Sequence, residues 1–149
     1  MPDHRLIGAM AARYAGASRF TRGYVGSKLR RDPSTAAILA LAGRAGGLGH
    51  VADLGCGRGQ LALALLLSGA AARVTGLDYE EAKVAEARAA GAGLAADFRR
   101  ADLTVAAVRP MPVADVAARL AGAGFRSEVA PCWAGTPLPN VLLVAERAS

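Results

Sequence analysis

The stretch from Val51 to Asp78 limits the fold more than any other part of the chain. It opens Val51-Ala52-Asp53-Leu54-Gly55-Cys56-Gly57-Arg58-Gly59, continues through the apolar run Leu61–Ala72, and closes with Arg73–Leu77 and Asp78. A short apolar run that stops at glycine, here His50–Leu54, reads as a buried parallel strand. Closely spaced glycines let the backbone turn sharply and approach a ligand with no side chain between. A helix that starts at such a turn offers unpaired N–H groups to that ligand. Gly-x-Gly alone is common in α/β turns, so the acid on the next strand is the stronger half of the signal. Asp78 follows about 20 residues on, where a carboxylate can accept both hydroxyls of a ribose.

The spacing separates two kinds of nucleotide site. Counted from Gly55, the dinucleotide pattern G-x-G-x-x-G requires a third glycine where Gln60 stands. A pyrophosphate binder uses that glycine for helix–strand packing, so a nicotinamide-dependent oxidoreductase is disfavoured. The arrangement present, with Asp53 two residues before Gly55 and then Gly57 and Gly59, resembles the first motif of class I S-adenosylmethionine (SAM)-dependent methyltransferases. The resemblance implies an α/β, Rossmann-like sheet with SAM as cofactor. By it, Asp53 positions the amino end of the SAM methionine. Gly55, Cys56, Gly57 and Gly59 accommodate the methionine and ribose, and Asp78 holds the ribose hydroxyls. Asp102, in Phe98-Arg99-Arg100-Ala101-Asp102-Leu103, resembles the acid that accepts from the adenine amino group, with Leu103 lining the ring. Asp97 competes for that role, and a cap or turn is the plain structural reading of Asp102. Tyr79 is placed to pack on the adenine, and Lys28 is a candidate partner for the SAM carboxylate. No catalytic base stands out: Tyr14, Tyr24, His4 and His50 are available, and each reads as structural or exposed.

The resemblance reaches both ends of the chain. Gly23 to Pro33, containing Lys28-Leu29-Arg30-Arg31-Asp32-Pro33, is similar to the lead-in of bacterial small-molecule methyltransferases. Ala121-Gly122-Ala123-Gly124-Phe125 and the segment Gly135 to Ala145 resemble their carboxy-terminal strand pair. A small-molecule acceptor is the implied partner.

With 149 residues and 53% hydrophobic content, the chain can bury one modest core. Residues 1–31 hold seven basic side chains against Asp3 alone, whereas the remainder balances 11 basic with 11 acidic residues. The organisation expected is therefore a basic N-terminal arm or cap over 1–31 and a single α/β domain over 32–149. Little aromatic interleaving and no nucleic-acid motif argue against a nucleic-acid partner. Cys56 and Cys132 lack disulfide or metal spacing, so no metal is expected. No secretory signal or membrane-length apolar run is visible, which places the protein in the cytoplasm.

Local signals predict partial helix over 1–31 with a glycine-spotted tail at Gly23–Gly26. A helix capped by Asp32-Pro33 should reach about Ala45. Helices over Arg58–Ser68 and Glu80–Ala90 alternate with strands at Arg73–Leu77 and Ala96–Arg100, the rhythm of a parallel sheet with helical crossovers. A helix over Val113–Ala123 then precedes strands Arg126–Trp133 and Asn140–Arg147, too close in sequence for anything but an antiparallel pair.

One portion of the family pattern is missing. Its sheet has seven strands in the order 3-2-1-4-5-7-6. Between Leu103 and Arg109 stand only five residues, which span at most about 18 Å and cannot hold strands 4 and 5 with their helices. The sheet is thus expected to be shortened, as if an internal segment were deleted after the third strand. That loss would leave an open edge on the first strand. Two repairs suggest themselves: the last strand pairing on the first, in the order 3-2-1-7-6, or a homodimer through the exposed edge. Two readings of function stay open, an enzyme that methylates a small molecule and a non-catalytic remnant that binds SAM or its product or serves as an interaction module.

Overall fold

The computed structural model describes residues 3–102, 112–131 and 141–148. The chain divides into two compact units, Met1–Leu103 and Thr104–Ser149. The contacts therefore part after Leu103, not after Arg31 as the charge distribution suggested. Leu103, Cys132 and the 134–139 connection lie outside the described residues.

The first unit begins with three helices, α1 (His4–Arg13), α2 (Arg19–Arg31) and α3 (Pro33–Arg44). Asp3 caps α1 by accepting from Leu6 N–H at 2.7 Å, and Ser18 caps α2 by accepting from Thr21 N–H at 3.1 Å. The predicted cap of α3 is present: the Asp32 carboxylate accepts from Ser34 N–H at 2.9 Å, with Pro33 in the first turn. Gly23 and Gly26 do not form a tail but lie inside α2. Glycine costs about 1 kcal/mol in a helix interior. Thr21, Val25 and Leu29, each four residues from the next, bury one face of α2 and outweigh that cost.

The remainder of the unit alternates β1 (Leu48–Leu54), α4 (Gln60–Leu67), β2 (Ala71–Asp78), α5 (Glu81–Gly91) and β3 (Ala96–Arg100). The strands form one parallel sheet in the order β1-β2-β3, with Leu54 opposite Leu77 and Asp78 opposite Arg100. After Gln60, helix α4 is apolar all round. It packs against β1 and β2, and against α1, α2 and α5, so that Ala62, Leu63, Ala64 and Leu65 are at most 1% exposed. The basic segment 1–31 is thus part of the core, contributing Leu6, Met10, Tyr14, Val25 and Leu29.

Phe98 of β3 locks this core together. A Cβ on Gly76 would stand 2.5 Å from its ring, one on Gly59 2.8 Å and one on Gly91 2.9 Å. The ring occupies volume that three glycines leave free, on the turn after β1, on β2 and on α5.

Strand β1 departs from the expectation of burial. Among the described residues it pairs with β2 alone, and Gly49, His50, Ala52 and Leu54 are exposed. A parallel strand is hidden only when neighbours and helices cover it, and an edge position removes one neighbour.

The second unit contains α6 (Val113–Gly122), β4 (Phe125–Pro131) and β5 (Val141–Arg147). The last two strands are antiparallel, with Phe125 opposite Arg147, as their spacing required. They form a sheet of their own, so the five-stranded order 3-2-1-7-6 is not formed among the described strands. Only residues 101–112 separate β3 from α6, consistent with a sheet shortened after its third strand.

Candidate functional site

Because the three strands of the first sheet are parallel, their carboxyl ends share one edge. Asp53 lies at the carboxyl end of β1 and the glycine turn follows it, Asp78 ends β2, and Asp102 follows β3. Open α/β sheets bind ligands outside this edge. Gly55, Gly57 and Gly59 have φ of +77°, +55° and +76°, a region that side chains disfavour. A Cβ on Gly55 would meet nothing within 4 Å, so its face of the turn is open.

Asp78 holds the turn in place. Its Oδ2 accepts from Gly57 N–H at 2.8 Å and its Oδ1 from Glu80 N–H at 2.9 Å. The side chain is buried. An ionised carboxylate has about four lone-pair directions, which leaves acceptor capacity on both oxygens. The carbonyl of Leu77 gathers the N–H groups of Gly55 and Cys56 at 2.8 and 3.0 Å. Gly55, Cys56 and Gly57 thus spend their N–H groups on the fold, and the unpaired donors expected there are not in that part of the turn.

Asp53 is different. Its Oδ2 is buried and without a partner, as is Oε1 of Gln60. Burial raises the Asp53 carboxyl above its ordinary pKa, the charge of Asp78 adds to this, and a hydrogen bond from the Ala62 backbone opposes it. A buried acceptor without a donor is costly. Two such acceptors beside an open glycine turn suit a ligand rich in N–H donors and positive charge. Gln60 entered the sequence argument only as a missing glycine, and its buried oxygen had no signal there.

The other candidates are dispersed. Cys56 is buried in the core, its Sγ 2.9 Å from where a Gly76 Cβ would stand. Burial first, then the charges of Asp53 and Asp78, push its thiol up to about 12, so it remains neutral. Tyr79 is 62% exposed. Asp102 lies just past the β3 end, exposed, whereas Asp97 sits within β3 opposite Thr75 and is paired with Arg99. Lys28 pairs with Asp32 at 3.4 Å. Among the groups weighed as bases, Tyr14 is buried, and its hydroxyl donates to the Arg58 carbonyl at 2.6 Å. Burial, followed by the Glu86 charge, raises its phenol well above the ordinary value. His50 is exposed and bonded to Thr75 Oγ1 at 2.8 Å. Among the described residues no His, Cys, Asp and Glu cluster could hold a metal.

A parallel sheet with acids at its carboxyl edge and an alternating glycine turn defines a Rossmann-like nucleotide-cofactor domain. A family model described as a methyltransferase domain matches residues 51–123, from β1 through α6. That match covers just under half of the chain and agrees with the class I SAM-dependent methyltransferase resemblance carried by the glycine turn and Asp78. The fold of the chain is similar to that of magnesium protoporphyrin IX methyltransferase (ChlM) from Synechocystis PCC 6803 with bound SAM. There the TM-score is 0.62 at 20% identity, over 94% of this chain and 97% of that one. It is also similar to the DhpI–SAH complex, with TM-score 0.52 and 19% identity over 99% of each chain. An S-adenosylmethionine-dependent methyltransferase from Mesorhizobium loti shares 37% identity over 52% of this chain, with TM-score 0.39. The chain spans only 33% of the length of that relative. No curated protein sequence matches.

Proposed function

We propose that the protein binds SAM at the carboxyl edge of β1-β2-β3 and transfers its methyl group to a small-molecule acceptor. The observation that carries this is the buried, unpartnered Oδ2 of Asp53 beside the open face of Gly55. The α-ammonium group of SAM is a cationic donor of the kind Asp53 lacks, and the Gln60 oxygen offers a second acceptor. Asp78 keeps lone pairs for the ribose hydroxyls while anchoring the turn, and Asp102 stands at the same edge for the adenine amino group, with Tyr79 as a stacking partner; the ring-lining role of Leu103 rests on the sequence resemblance alone. Gly55 and Gly57 supply backbone that a ligand can approach closely, while Cys56 and Gly59 support the turn from the core side. Lys28 is the candidate for the carboxylate, in exchange for its bond to Asp32. SAM supplies a methyl already activated by its sulfonium; the protein's part is to align the acceptor.

The acceptor is a small molecule and not nucleic acid in this reading. Three of the seven N-terminal basic side chains are engaged within the fold, Arg13 on the Ala92 carbonyl, Arg22 on the carbonyls of Ala15 and Ala17, and Lys28 on Asp32. No described helix is long and apolar enough to cross a membrane, which fits a cytoplasmic location. The edge of β1 is the surface through which a homodimer would form. A second reading, a binder of SAM or S-adenosylhomocysteine (SAH) without turnover, is favoured by the short interval between β3 and α6. That interval leaves no room for the strands that face the acceptor in full-length sheets.

Calorimetry with SAH tests the site: saturable binding that weakens at least about tenfold in Asp53→Ala supports it. NADH binding without SAH binding overturns it. Label transfer from SAM into a cell extract then separates the enzyme from the silent binder.

A further inference from the structure

Groups from outside the sheet converge on Arg58, which stands between the last two glycines of the turn. The Arg58 carbonyl accepts from the Tyr14 hydroxyl of the α1 C-cap at 2.6 Å. The Arg58 guanidinium donates through Nε to Glu86 Oε2 of α5 at 2.6 Å. Glu86 Oε1 in turn accepts from the Thr21 hydroxyl of α2 at 3.0 Å. The Arg58 Cζ lies 5.8 Å from the Phe20 ring centre and 5.3 Å from that of Tyr24, two α2 rings stacked 6.4 Å apart. Tyr14 and Thr21 are almost fully buried, whereas Arg58 and Glu86 are partly exposed, so the network runs from the interior to its edge.

The physical need for such bonds follows from the turn itself. Glycines at alternate positions give the chain its unusual φ angles, but they also give the unbound turn many other conformations. A ligand that requires one conformation binds more weakly in proportion to how seldom it is populated. Asp78 pins the peptide N–H of Gly57 from the sheet, and Tyr14 pins the carbonyl of Arg58, one residue on, from the helical layer.

We propose that Tyr14 and Glu86 are positioning residues that couple the ordering of α1 and α2 to the geometry of the cofactor turn. The helices before Asp32 then act on the cofactor site through Arg58, without touching the ligand themselves. By linkage, a ligand in the turn must stabilise α1 and α2 by the same factor that these helices add to its affinity. The inference rests on the SAM-site reading above and adds a specific connection to it.

The probe is SAH, with affinity read by calorimetry and helix order by amide exchange over residues 19–31. Tyr14→Phe keeps the ring and removes only the hydroxyl; Glu86→Gln keeps the shape and removes the charge that holds Arg58. In the wild type, SAH should slow exchange in α2. In each variant SAH affinity should fall about tenfold, the effect of one or two lost bonds, and the SAH-dependent slowing should disappear. Should Tyr14→Phe fail to fold, the half-buried Glu86 still decides the matter. Unchanged affinity in the folded variants overturns the coupling and leaves the SAM site standing. A wild type that does not bind SAH overturns both.

Discussion

At Asp53 two effects oppose ionisation, burial and the neighbouring charge of Asp78. Its folded pKa lies above the ordinary value of 3.8, so the folded protein holds that proton more readily than the unfolded chain does. Stability from this group is therefore present at low pH, and is lost as pH rises through the raised value. Asp53→Asn removes the penalty. Without ligand, the variant should melt at a higher temperature than wild type near neutral pH, and the gap should close on acidification. Binding carries the opposite sign. A cationic ligand stabilises the ionised carboxylate, so SAH should bind more weakly as pH falls, with release of a proton. Calorimetry in buffers of different ionisation enthalpy reads that proton, and Asp53→Asn should abolish its release.

The elements show where sequence is a sufficient guide. Helix α3 was legible from Asp32-Pro33 because a cap and a proline act locally. Asp32→Ala should cost about 1 kcal/mol in a urea titration, the usual worth of an N-cap. The glycine turn after β1 and the position of Asp78 at the end of β2 were equally legible, since both depend on spacing along the chain. Helix α2 was not, because its glycines spoke against helix while its burial, which decides, lies in contacts with distant elements. The exposure of β1 depends on which strands stand beside it, and no residue within β1 encodes that. The bond from Arg58 to Glu86 joins residues 28 apart. In the sequence Glu86 is one more acid on a helix, and Tyr14 one more aromatic. Their convergence on the turn required the fold.

At the scale of the whole chain, described core and candidate site fall in the same unit. Among the described residues, every member of the buried cluster precedes Leu103, α6 has no buried side chain and β4 pairs only with β5. A two-stranded sheet is marginal on its own. A polypeptide of residues 1–103 should therefore fold and retain SAH binding, while 104–149 alone should show little helix by circular dichroism. Phe98 carries a further consequence for the chain as a whole. Gly76→Ala forces a methyl into its ring and should destabilise by about 1–3 kcal/mol. Phe98→Leu opens space there, so the double substitution should lose less stability in denaturant titration than the two single losses added. The order of change then matters to a lineage. Alanine at position 76 is harmful in the presence of the phenylalanine and milder after it has gone, so ancestry constrains which of the three glycines can ever drift. Homologous sequences in which any one of them is replaced should carry a smaller residue where this chain has Phe98.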